Sequence, residues 1–182
     1  VVWGAKREQI KEDLSLDKFE QMVDSIKIVD NMFKVDMDSH SLIKLDRDAI
    51  DVKLPSYIEI LESSSCSDCT KLKSIILPNK LRMIDGYAFN NCTQLETINL
   101  PKKLETIDYK AFYNCKSLKE ITIPGNIRML DDSCFEQSGL VKVTLEKGVP
   151  YIPTAMFYNC EDLTTINIPS SVTNIGENAF VG

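Results

Sequence analysis

The sequence predicts an α+β repeat solenoid of short strands and turns, with a small α/β cap at its N-terminal end. Three observations predict it. Pro55, Pro78, Pro101, Pro124 and Pro169 share one column, with Glu146 in the remaining slot, at intervals of 23, 23, 23, 22 and 23 residues. Phe89, Phe112, Phe135, Phe157 and Phe180 keep the same beat. Residues 1–49 carry neither column. A fixed period of this length marks stacked units that share one continuous core.

The unit reads L-x-x-I-x-(I/L)-P, a short linker, then (L/I/V)-x-x-I-x-x-x-A-F-x-x-C; Leu95, Ile98, Leu100, Pro101, Leu104, Ile107, Ala111, Phe112 and Cys115 spell one copy. In Leu95–Leu100 the apolar Ile98 and Leu100 alternate with polar neighbours, the pattern of a half-buried strand, and Pro101 withholds the next amide donor and ends it. The second half, Leu104 to Cys115, is expected to return through a shorter strand and a helical turn near Ala111-Phe112, with Phe, Ala and Cys pointing into the stack. The single 22-residue step has a visible cause. Phe112-Tyr113-Asn114-Cys115-Lys116-Ser117-Leu118 is matched by Phe135-Glu136-Gln137-Ser138-Gly139-Leu140, one residue shorter.

One such unit cannot stand alone. Ordering its backbone costs roughly 1–2 kcal/mol per residue, while each buried side chain returns only about 1.5–3 kcal/mol. Stacking on neighbouring copies supplies the difference and satisfies backbone donors and acceptors between laterally joined strands. The array is therefore expected to run over residues 50–182 as about five and a half units. Gly182 stands one residue before the next Cys slot, and the expectation is either a longer array or an end covered by another chain.

The Ala-Phe-x-x-Cys motif and the segment from Ile168 to Phe180 carry a family resemblance. The sequence resembles the BspA-like leucine-rich repeat proteins over about 130 of its residues. The resemblance implies a curved, right-handed superhelix and a surface or secreted protein of the kind associated with adhesion.

Residues 1–49 are expected to form a capping segment over the first repeat's apolar edge. From Ala5 to about Ile26 apolar residues recur at helical spacing, which predicts two short helices, the second capped by Ser15. From Lys27 onward, Lys27–Asp30, Phe33–Asp36 and Leu42–Leu45 predict short strands. A small ligand-binding domain is the other reading of this segment.

Six cysteines and the Cys66-Ser67-Asp68-Cys69 pair raise disulfide, redox and metal chemistry. The repeat alignment assigns them elsewhere. Cys69, Cys92, Cys115 and Cys160 fill one internal column, Cys66 stands in the Phe column and Cys134 in the Ala column. Buried thiols there act as small hydrophobes. A second C-x-x-C is missing and His40 is the lone histidine, so neither a structural zinc site nor a Ser-His-Asp or Cys-His nucleophile has its components. The turn Asp36-Met37-Asp38-Ser39-His40 lacks the glycine spacing of a calcium loop. No cofactor and no enzymatic activity are expected. Asn91-Cys92-Thr93 fits the N-glycosylation pattern, but its cysteine should point inward on a tight turn.

Charge excludes one partner class. With 21 basic and 27 acidic side chains the net charge is −6, and no basic run stands out to neutralise a phosphate backbone, so nucleic acid is not expected. No apolar run reaches the length of a membrane-spanning helix, and no membrane insertion is expected.

What remains is a binding face. Side chains projecting from the L-x-x-I-x-L strand form three rows: Lys73, Glu96, Lys119, Val141 and Thr164; Ser74, Thr97, Glu120, Lys142 and Thr165; Ile76, Asn99, Thr122, Thr144 and Asn167. Small, polar and mixed in charge, they suit hydrogen-bonding contact with a protein, such as an extracellular-matrix or host-cell protein, or with a glycan. The expected function is a non-enzymatic protein-binding module of the cell surface or a secreted protein, used in adhesion. The alternative is an intracellular scaffold, which reduced thiols in a small protein would fit. A leader upstream of Val1 would favour the first, an initiating Met directly before it the second.

Overall fold

The computed structural model describes residues 32–182. Among the described residues the chain forms a β-solenoid of twelve short strands and no helix. Each turn contributes one strand to a first sheet side and a turn segment to a third, and the first four turns also contribute a two-residue strand to a second.

On the first side lie β3 (Asp51–Lys53), β5 (Ser74–Ile76) and β7 (Thr97–Ile98), then β9 (Glu120–Ile123), β11 (Lys142–Leu145) and β12 (Thr165–Asn167), all pairing in parallel within two three-stranded groups. The register sets each residue against its equivalent one turn away, as in Ser74 against Thr97 and Val143 against Ile121. The second side is a six-stranded sheet in which β4 (Ile60–Leu61), β6 (Met83–Ile84), β8 (Thr106–Ile107) and β10 (Met129–Leu130) follow β2 (Ser41–Leu45) in parallel, with β1 (Phe33–Asp36) antiparallel at the edge. This sheet stops at β10 for a local reason. Pro150 has no amide to offer Arg128 where Arg128, one turn earlier, bonds the Glu105 carbonyl, and the Tyr151 hydroxyl accepts the Leu130 N–H instead. Ile152 and Ile175 resume the pairing as a single bridge.

The third side corrects the expected helical turn at Ala111-Phe112. Two residues per unit adopt left-handed backbone: Ser64, Tyr87, Lys110, Ser133, Ala155 and Asn178 before the Ala column, and Asp68, Asn91, Asn114, Gln137 and Asn159 before the Cys column. A left-handed residue every four interrupts any α-helix, and for non-glycine residues it costs about 1–2 kcal/mol each. Inter-turn hydrogen bonds compensate. Tyr87 N–H reaches the Tyr109 carbonyl at 2.9 Å, Phe89 the Ala111 carbonyl at 2.7 Å and Asn91 the Tyr113 carbonyl at 2.9 Å, each donated to the following turn. The fold is thus β and turn throughout the described residues, not α+β.

The N-terminal expectation is corrected in the same way. The helices read over residues 5–26 and the strand at 27–30 lie outside the described residues. Phe33–Asp36 and Ser41–Leu45 form an antiparallel pair whose second strand joins the solenoid sheet in register with β4, rather than part of an α/β cap.

The core is a set of stacked columns. Phe89, Phe112, Phe135 and Phe157 are fully buried, and with Phe180 their rings stack at centroid separations of 5.1, 4.9, 6.0 and 5.6 Å. The 22-residue step is closed by Gly139. Its N–H bonds the Cys115 carbonyl at 3.0 Å, and a Cβ there would sit 1.8 Å from the Lys116 carbonyl oxygen.

Candidate binding surfaces

The alternation that buries Ile75, Ile121 and Val143 turns their neighbours outward. Lys73, Glu96, Lys119 and Thr164 are exposed and Val141 half-buried; Thr97, Glu120, Lys142 and Thr165 are exposed and Ser74 half-buried; Ile76, Asn99, Thr122 and Asn167 are exposed and Thr144 half-buried. The three sequence-derived rows therefore exist as rows. Several side chains in them are tied down. Asn167 accepts the Leu145 N–H and donates to the Leu145 carbonyl, both at 3.0 Å, and Lys119 pairs with Asp162 at 3.2 Å. Sequence reading missed that Asp51 extends the second row, accepting from Ser74 Oγ at 2.6 Å.

The rows are not continuous. β7 and β9 do not pair, and the seam between them opens a cleft of about 260 Å³ lined by Ile98, Asn99, Leu100, Glu120, Ile121 and Thr122. Ile98 and Leu100 are half-buried there, whereas their equivalents Ile75 and Leu77 one turn earlier are buried. Lys73 and Glu96 stand on the β5–β7 side of this seam, and Lys119, Glu120 and Lys142, with Lys142 4.0 Å from Glu120, on the β9–β11 side.

A second surface escaped the sequence altogether. On the six-stranded sheet Glu59, Arg82, Glu105 and Arg128 fall in one column, and Arg82, Lys103, Glu105, Asn126 and Arg128 line a hollow of about 340 Å³. Cations 21 to 25 residues apart do not form a run in the chain, yet the 23-residue period puts them side by side.

The thiols are internal. All six cysteines are free and buried, and burial holds each thiol above its ordinary range, to about 11 for Cys69. Their column has a further job: Cys92, Cys115 and Cys160 donate S–H to the carbonyls of Cys66, Phe89 and Phe135 at 3.1, 3.3 and 3.1 Å. His40 sits in left-handed backbone, its Nδ1 3.6 Å from Glu59. No cluster of potential metal ligands occurs among the described residues. The Asn91 amide nitrogen, where a glycan would attach, donates to Asp68 Oδ1 at 3.0 Å, and Asn114 donates back to Asn91 at 2.9 Å.

The repeat of Phe, Cys and left-handed turn columns over the whole array decides the family. The profile of the BspA type leucine rich repeat region matches residues 49–182 as six copies. The chain belongs to the BspA-type leucine-rich repeat family. Among solved structures, this BspA-type chain is similar to the T. pallidum leucine rich repeat protein TpLRR, at 24% identity and a TM-score of 0.65 over 80% of this chain and 82% of that one. It is similar to a leucine rich cell surface protein of Faecalibacterium prausnitzii, at 28% identity and a TM-score of 0.65 over 70% of this chain and 34% of that one. It is also similar to the pneumococcal vaccine antigen PcpA, at 26% identity and a TM-score of 0.65 over 80% of this chain and 35% of that one. The chain thus matches about a third of the length of the last two. No curated protein sequence matches it significantly. Among the described residues no helix is long and apolar enough to cross a membrane.

Proposed function

We propose that this BspA-type array is a non-enzymatic protein-binding module of the cell surface, used in adhesion, and that the partner lies across the outward rows of β5, β7, β9, β11 and β12. The observation that carries the reading is the row geometry. Side chains of one type of position, in register within each three-stranded group on either side of the β7–β9 seam, offer a surface for contact with a partner along several turns at once. Mixed charge in Glu96, Lys119, Glu120 and Lys142 suits electrostatic steering and register rather than a single hot spot. The cell-surface description of the Faecalibacterium prausnitzii relative supports the location by analogy.

One observation favours a second reading. Six buried free thiols are the cysteine usage of a reducing compartment, which would make the array an intracellular scaffold.

The test is capture by the intact chain of purified extracellular-matrix proteins on one surface and lysate proteins on another, repeated with Glu96, Lys119, Glu120 and Lys142 charge-reversed together. Selective matrix binding that is lost in the folded variant supports the adhesive reading. Variant-sensitive capture from lysate alone supports the scaffold, and binding that survives in the variant removes the row surface from both.

A further inference from the structure

The hollow on the six-stranded sheet is a site of a different kind from the strand rows. Its cations are concentrated although the chain as a whole is acidic, with a net charge of −6. Arg82 is held by Glu59 at 3.1 Å, but among the described residues Lys103 and Arg128 form no ion pair, and Lys80 and Lys102 stand exposed in the adjoining rows. The Arg128 guanidinium offers a free planar, bidentate fork of the geometry a carboxylate accepts, and Arg82, whose Nε and one terminal nitrogen already meet Glu59, keeps its other terminal nitrogen for a second carboxylate. Glu105 and the Asn126 side-chain oxygen, whose amide is spent on the Lys102 carbonyl at 2.7 Å, add acceptors to the floor.

We propose that this hollow docks an acidic peptide segment of a partner protein, lying along the stack axis with carboxylates three residues apart. The mixed floor selects a peptide over a uniform polyanion. A peptide brings N–H donors for Glu105 as well as carboxylates for the cations, whereas a chain charged at every unit meets Glu105 as a like charge. The spacing follows from the fold. Arg82 and Arg128 are two turns apart, about 9.6 Å at the usual strand separation of about 4.8 Å. A polyproline II segment repeats its face every three residues, about 9.3 Å. Side chains at i and i+3 therefore reach the two arginines together, with Lys103 between them.

The experiment measures binding of a fluorescein-labelled Glu-Pro-Ala repeat peptide, whose alanine keeps an N–H for Glu105, by anisotropy at two salt concentrations. A composition-matched permuted peptide and heparin serve as separate arms. The wild-type chain is compared with Lys103→Ala/Arg128→Ala and with Lys119→Ala/Lys142→Ala on the strand rows, each checked for fold by circular dichroism. Salt-sensitive binding of the spaced peptide, weakened about tenfold in the first variant and unchanged in the second, is the expected result. Equal affinity for the permuted peptide, unchanged affinity in the Lys103/Arg128 variant, or capture of heparin without the peptide overturns the proposal. Because the strand-row variant is a separate arm, failure here leaves the adhesive reading of the rows standing.

Discussion

The rings of Phe112 and Phe135 lie 4.9 Å apart, centroid to centroid, with planes only 2° from parallel. This is the tightest contact of the aromatic spine, and it joins the two turns at which the strand-row seam opens on another side. Phe112→Ala removes a fully buried ring with ring neighbours above and below, and is expected to cost about 3–5 kcal/mol. Phe180→Ala, at a position 40% exposed, should cost well under half of that. Urea denaturation of both variants checks the ratio, and equal losses would mean that the stack is not what holds the turns together.

Gly139 and Gly86 make a paired test of backbone approach. A Cβ at Gly139 would lie 1.8 Å from the Lys116 carbonyl oxygen, while at Gly86 the nearest atom, the Tyr109 carbonyl oxygen, stands 3.4 Å away. Gly139→Ala should destabilise by roughly 1–3 kcal/mol, because backbone rather than a flexible side chain must give way. Gly86→Ala should be within about 0.5 kcal/mol of the parent. Thermal melts decide it.

Thiol chemistry gives a third expectation. Burial raises the pKa of every cysteine, and four of them, Cys69, Cys92, Cys115 and Cys160, are also engaged as S–H donors to carbonyls one turn back. The thiolate is the reactive form, so the folded chain should resist an aromatic disulfide reagent at mildly alkaline pH and release six equivalents on addition of guanidinium. Rapid labelling of even one thiol in the folded chain contradicts the column geometry.

Asp108 links stability to pH. Burial raises its carboxyl above the ordinary value of 3.8; the Tyr109 N–H works against that rise, and the neighbouring Asp131 and Asp85 carboxyls add to it. A carboxyl whose folded pKa is raised binds its proton first in the folded chain. Its ionisation therefore weakens the fold, and the loss is recovered as pH falls through the folded pKa toward the unfolded value near 3.8. Asp108→Asn keeps an oxygen for the Tyr109 amide and removes the charge. It should raise the urea midpoint at about pH 7 and flatten the pH dependence in the window just above 3.8. An unchanged midpoint and slope would show that Asp108 is solvated in the fold.

What could be read from the chain was what repeats with a side-chain signature. The Phe and Cys columns, the proline-ended strand and its outward rows all follow from burial alternating along a 23-residue period. The turn side misled because Ala111, Phe112 and Cys115 share the i, i+1, i+4 spacing of a helix face. The left-handed residues that interrupt it include Tyr87, Lys110 and Ala155, types with no preference for that backbone. The second such column, with Asp68, Asn91, Asn114 and Asn159, is the one built mostly from residues that favour it; in the first only Asn178 is of that kind. The seam between β7 and β9 lies between strands with the same pattern as their paired neighbours, so no residue signals it. The basic hollow is built from Arg82, Lys103 and Arg128, which only the three-dimensional period brings together.

The direction of the inter-turn hydrogen bonds has a mechanical consequence. On every side of the solenoid they run from turn to turn, along the stack, while the covalent chain runs around it. A pull along the stack therefore loads one layer of bonds after another in series, and the layers should part singly rather than all at once. Each 23-residue coil that peels away frees about 80 Å of slack at full extension. A tether built this way lengthens in steps under tension, dissipating load at each step before its anchor points feel the full force.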